Sequence, residues 1–112
     1  MAAISKSLLE TYTQSDALAL AGLVKRGEVS PAELVEAAIT TIERLNPQLN
    51  AVIHRLYDMA RAQATTVDRD APFAGVPYLL KELASSWKGA PNTNSCRYLK
   101  DFVSGLNSWS PK

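Results

Sequence analysis

Phe73-Ala74-Gly75-Val76-Pro77-Tyr78-Leu79-Leu80-Lys81-Glu82-Leu83 is an apolar stretch of strand length with one charge pair set near its end. Read as extended chain, alternate residues share a face, so Lys81 stands with Leu79 and Leu83 while Tyr78, Leu80 and Glu82 point the other way. An amine is thus placed on an apolar row. Burial disfavours an ammonium ion, and an ordinary lysine must fall from about 10.4 to about 7 to be half neutral at pH 7, which costs about 4.6 kcal/mol. Only a thick, dry surround achieves that. From the pattern alone two readings stand: a lysine that pairs with a carboxylate or snorkels from the strand end, which is the commoner case, and a lysine kept neutral for chemistry.

Upstream, Ser15 or Asp16 caps a helix running to Lys25, with Leu18, Ala21, Leu23 and Val24 on its apolar stripe, and Gly27 stops it. Ser30-Pro31-Ala32-Glu33 is a capping box with proline at the first helical position, where a missing N–H costs nothing. Leu34, Val35, Ala38, Ile39, Ile42 and Leu45 then recur at helical spacing, and Asn46-Pro47 is expected to end the helix, because the residue before proline is driven out of the α region. Residues 49–56 read as a short strand centred on Val52 and Ile53, residues 58–67 as an alanine-rich helix, and residues 68–72 as a polar turn. Downstream of residue 84, Ser, Gly, Asn and Pro predict loop, with a short helix near residues 97–103. The order helix, helix, strand, helix, strand predicts an α/β fold. A strand apolar on consecutive residues wants cover on both faces.

Composition narrows the function. The 112 residues are 46% hydrophobic and 21% charged, and twelve Lys and Arg against eleven Asp and Glu leave a net charge of +1. That profile is globular, with no basic block for a nucleic acid partner. At this length a chain buries only about two-thirds of its unfolded surface, so the core is modest. The single Cys96 has no CxxC or Cys/His companions, which argues against a disulfide framework or a zinc site and fits a reducing, cytoplasmic setting. No run reaches membrane-spanning length, and the opening residues are too polar for a signal peptide; no membrane partner is expected. His54 has no carboxylate at dyad or metal spacing, and Trp87 and Trp109 read as core residues left partly uncovered.

The residues 73–83 and the following Gly89-Ala90-Pro91-Asn92-Thr93-Asn94-Ser95 resemble the GVP-x-x-x-K-[DE] strand and Gly/Thr/Ser loop of the amidase signature family. Ser30-Pro31-Ala32-Glu33-Leu34 and Asn46-Pro47-Gln48-Leu49-Asn50-Ala51 are similar, in order and spacing, to that family's N-terminal helices and their connection. Together these matches cover roughly residues 16–101.

The resemblance implies hydrolysis of a carboxamide C–N bond, with Lys81 as the catalytic residue. In the family the lysine takes a proton through a serine held beside a cis peptide bond, and that serine activates a second, nucleophilic serine. An alcohol is a poor nucleophile until a nearby base takes its proton. Both serines and the oxyanion donors lie in a Gly/Ser-rich stretch downstream of the lysine. The five glycines here are all isolated, and Ser85-Ser86 reads as loop. Residues 1–112 are therefore expected to be a truncated N-terminal part of an amidase domain: helices plus the first strands of its mixed sheet, incomplete and inactive alone. No cofactor or metal is expected. A small-molecule amide is the expected ligand once the missing part is supplied, and uncovered apolar faces point to self-association. A non-catalytic interaction module and a relic reading frame are the competing readings. Glu82 stands where the family usually has Asp, which lengthens the carboxylate arm by one methylene. Cys96, where a small residue is common, reads as packing rather than reactivity.

Overall fold

The computed structural model describes residues 4–83 and 85–108. These divide at Pro77 and Tyr78 into two compact units. The first is built from four helices: α1 (Lys6–Gln14), α2 (Ala17–Lys25), α3 (Pro31–Leu49) and α4 (Tyr57–Ala64).

Helix α2 begins at Asp16, whose carboxylate accepts the Ala19 N–H at 2.8 Å. It ends in a Schellman turn: the Glu28 N–H reaches the Leu23 carbonyl at 3.0 Å while Gly27, at φ 74°, takes the left-handed conformation. Leu20, Ala21 and Val24 are its buried residues. Leu18, expected on the same stripe, is 67% exposed, because it sits off the face that those three define.

Helix α3 carries the expected capping box, with the Ser30 hydroxyl accepting the Glu33 N–H at 3.2 Å and the Glu33 carboxylate accepting the Ser30 N–H at 2.8 Å. Leu34, Val35, Ala38 and Ile39 are buried, and Leu45 lies outside the seam at 43% exposure. The helix does not stop at Asn46. It passes through Pro47 to Leu49 and closes on Asn50, at φ 49°, whose N–H returns to the Asn46 carbonyl at 2.7 Å. Pro47 costs one hydrogen bond in a last turn that is about to end, so the break comes three residues later than the proline alone predicts.

The segment after it is not a strand. Asn46, 7% exposed, folds its side chain over the chain end: Oδ1 accepts the Ala51 and Val52 N–H groups at 2.9 Å each, and Nδ2 donates to the Val52 carbonyl at 2.9 Å. The backbone groups that a ladder would use at the centre of residues 49–56 are already satisfied. Helix α4 is shorter than expected, since Thr65 and Thr66 turn their hydroxyls onto the carbonyls of Ala62 and Gln63.

Helix α1 had no counterpart among the sequence expectations. Ser5 caps it by accepting the Leu8 N–H at 3.2 Å, and it packs on α3. Its Tyr12, with Leu23, Val29 and Val76, surrounds the buried Leu20, Val24 and Leu34. Burial pushes the Tyr12 hydroxyl above its ordinary value. Helix α4 also packs on α3, where Arg61 Nε pairs with Glu36 at 2.5 Å and the Tyr57 hydroxyl donates to Glu43 at 2.5 Å, and Arg55, just before α4, pairs with the same Glu43 through Nε at 2.8 Å.

The second unit is irregular. One isolated antiparallel bridge, Pro91 with Val103, is flanked by the Asn92 N–H on the Phe102 carbonyl at 3.1 Å and the Ser104 N–H on the Ala90 carbonyl at 3.0 Å. A single tight helical turn, Arg97–Leu99, stands where a short helix was expected. Among the described residues there is no strand in either unit, so the structure is helical and the sheet half of the α/β expectation is not formed here. Residues 78–83 have the sequence of a strand but no neighbouring strand to take their N–H and C=O groups. Among the described residues no helix is long and apolar enough to cross a membrane.

Candidate functional site

The start of the lysine segment is fixed by packing. The Ala74 N–H bonds the Ala71 carbonyl and the Val76 N–H bonds the Phe73 carbonyl, each at 3.2 Å, so the chain turns tightly at Gly75. Gly75 has φ 76°, and a Cβ on it would lie 2.9 Å from Pro31 Cγ and 3.2 Å from Val24 Cγ1. Only glycine allows both the left-handed turn and this approach to the ends of α2 and α3. Ala74 is buried beside it and Val76 joins the helical core. The Gly-Val pair of the motif is therefore a seat for the chain just before the lysine.

Within the second unit, the alternation expected of residues 78–83 is partly visible. Leu80 and Glu82 are half-buried, whereas Leu79 and Leu83 are each 68% exposed and Lys81 between them is exposed. The row that carries the amine faces water. Tyr78 departs from the pattern at 61% exposure. The Glu82 carboxylate accepts the backbone N–H of Thr93, in the loop that the sequence placed after the lysine. That loop turns at Asn94 and Ser95, at φ 47° and 56°, and the Cys96 N–H closes it on the Thr93 carbonyl at 2.8 Å.

The remaining candidates fall elsewhere. Ser86 lies in loop, as expected, accepting the Ser108 N–H on its carbonyl at 2.9 Å and donating from its hydroxyl to the Leu106 carbonyl at 3.2 Å. Cys96 is exposed, which corrects its reading as a packing residue: it stands at the outer edge of the turn, on the flank of Arg97–Leu99. His54 and Trp87 are half-buried. Trp109 lies outside the described residues. Among those described, no three His, Cys, Asp or Glu side chains converge as metal ligands. A groove along α2, lined by Leu18, Gly22, Lys25, Arg69, Asp70 and Pro72, belongs to the helical unit and does not include Lys81.

Sequence reasoning missed the Glu82–Thr93 bond and the Asn46 hook. Neither has a local signature, since their partners are eleven and up to six residues away.

The Amidase family profile matches residues 33–109, more than half of the chain. A 6-aminohexanoate-cyclic-dimer hydrolase of Pseudomonas sp. is 45% identical over 77% of this chain and 17% of its own length. A lipoamidase of Enterococcus faecalis is 45% identical over 87% of this chain and 14% of its own length. A fatty-acid amide hydrolase of Danio rerio is 31% identical over 82% of this chain and 20% of its own length. The chain thus spans at most a fifth of the length of these curated relatives. No solved structure matches it.

Proposed function

The chain belongs to the amidase family, and from that premise we propose that it supplies the N-terminal helices and the general base of an amide hydrolase, with Lys81 as that base. The observation that carries this is the run from Gly75 to Glu82. It reproduces the lysine motif of the family, its glycine is required by the packing of Pro31 and Val24, and it lies inside the matched residues. In the proposed reaction neutral Lys81 takes a proton relayed from the nucleophilic serine, whose oxygen then attacks an amide carbonyl. Both serines belong to the downstream part of the domain.

The exposed row of Leu79, Lys81 and Leu83 supports a further part of the proposal. Residues 78–83 become a strand of a mixed sheet when that remainder covers them, and the 112 residues alone do not hydrolyse amides. Dehydrating the amine needs neighbours on both sides. Large apolar side chains left in water, among them Tyr98 at 92% and Leu106 at 76% exposure, support self-association of the chain by itself. A linear or cyclic carboxamide is the proposed substrate class, supported by the cyclic-dimer hydrolase and lipoamidase relatives.

A chimera tests this. The chain replaces the matching segment of the 6-aminohexanoate-cyclic-dimer hydrolase, and turnover of the cyclic dimer is measured beside that of the 112-residue chain. Turnover is expected in the chimera alone, lost by Lys81→Ala. Undiminished turnover in the Lys81→Ala chimera would refute the base assignment, and turnover by the short chain would refute its dependence on the remainder.

A further inference from the structure

The geometry points to Glu82 as a positioning residue that fastens the 92–96 turn to the lysine segment and thereby sets the face on which Lys81 is presented; this rests on the reading of Lys81 as the base. Glu82 is half-buried while its neighbour Lys81 is exposed. Its Oε1 accepts the Thr93 N–H, a charge-assisted bond stronger than one between neutral groups. Thr93 is engaged on both sides, because its carbonyl accepts the Cys96 N–H at 2.8 Å, and the preceding Asn92 N–H is held by the Phe102 carbonyl at 3.1 Å.

The turn so held contains two consecutive non-glycine residues in the left-handed region, Asn94 and Ser95. Such conformations persist only where the surroundings over-determine them. The carboxylate provides one of those constraints from outside the turn. Residues 78–81 run without regular structure and the chain turns at Glu82 and Leu83, so the clamp acts where the lysine segment enters that turn, one residue from Lys81. With half-buried Glu82 held on Thr93, the adjoining Lys81 is left exposed, as are Leu79 and Leu83. Glu82 therefore acts on the reaction through the backbone it shares with the base, without touching substrate.

The amide spectrum of the 112-residue chain gives the first test. Glu82→Ala is expected to move the resonances of residues 93–96 and to speed hydrogen exchange at Thr93 by about tenfold or more, as befits loss of a bond to a charged group. Glu82→Gln, which keeps an oxygen acceptor, is expected to restore most of the protection, and amides of α2 and α3 are expected to stay unchanged in both. Thr93 exchange untouched by Glu82→Ala would overturn the clamp. In the chimera, Glu82→Ala is expected to lower kcat about tenfold with KM within about twofold, and Glu82→Gln to recover it. Unchanged kcat in Glu82→Ala, beside lost turnover in Lys81→Ala, would overturn the role of Glu82 and leave the base in place. Undiminished turnover in Lys81→Ala would instead overturn the base, and the positioning assigned through it.

Discussion

Residues 17–49 and residues 78–83 are both rich in large apolar side chains, yet the first segment buries a core of its own and the second does not. In α2 and α3, Leu20, Val24 and Leu34 are at most 4% exposed; in the lysine segment Leu79 and Leu83 are each 68% exposed. The difference lies in where each kind of element finds its hydrogen bonds. A helix satisfies its backbone within itself and needs only one apolar partner, which α2 and α3 give each other. A strand needs neighbours along its whole length before its side chains can be packed at all. The helical unit buries a core of its own, and the lysine segment leaves Leu79 and Leu83 in water.

The sharpest way to break that contrast is Leu34→Ala. Leu34 is fully buried at the centre of the helical core, and its loss is expected to cost about 2–5 kcal/mol, a large share of the stability of a domain this size. Helical circular dichroism during urea unfolding would register it. Gly75→Ala comes next, at about 2–3 kcal/mol, from a left-handed alanine and a Cβ driven against Pro31. Gly105→Ala, whose added Cβ meets nothing, is the control in the same unfolding experiment.

Acid is expected to act more gently. The Arg61 hydrogen bond lowers the Glu36 carboxyl, and those of the Tyr57 hydroxyl and then Arg55 lower that of Glu43. A carboxylate lowered in the folded state contributes fully above its unfolded value, near 4.5, and loses that contribution as pH falls through the lower folded value. The thermal midpoint is thus expected to hold from neutral pH down to about 5 and then decline by a few degrees, since both pairs are partly exposed. Leu79→Ser should matter least. At 68% exposure it is expected to change unfolding free energy by no more than about 0.5 kcal/mol. Sedimentation of the same variant is expected to show weaker self-association.

What could be read in advance follows the same division. The Asp16 cap, the Ser30–Glu33 box and the Gly27 stop are local chemistry, and each stands where the residues placed it. Helix α1 has a local signature of the same kind, a Ser5 cap followed by Leu8, Leu9 and Tyr12 at helical spacing. The proline rule overreached at Pro47, because a helix in its last turn has little left to lose there. The strand expectation at residues 49–56 failed against Asn46, a side chain that consumes backbone groups five and six residues away. At the site, alternation placed Lys81 with Leu79 and Leu83, and all three are exposed, but Tyr78 is exposed too and the chain turns at Glu82 and Leu83. Whether that row is dry depends on groups far along the chain, which no short window of sequence contains.

The state of Lys81 itself is the most direct measurement. Brief acetylation of the 112-residue chain and of the chimera, read residue by residue by mass spectrometry, compares its accessibility with that of the exposed Lys6 and Lys88. Lys81 is expected to label as fast as those two in the short chain and to be protected in the chimera. Protection already present in the short chain, or equal labelling in both proteins, would contradict a base that is buried only by the rest of an amidase domain.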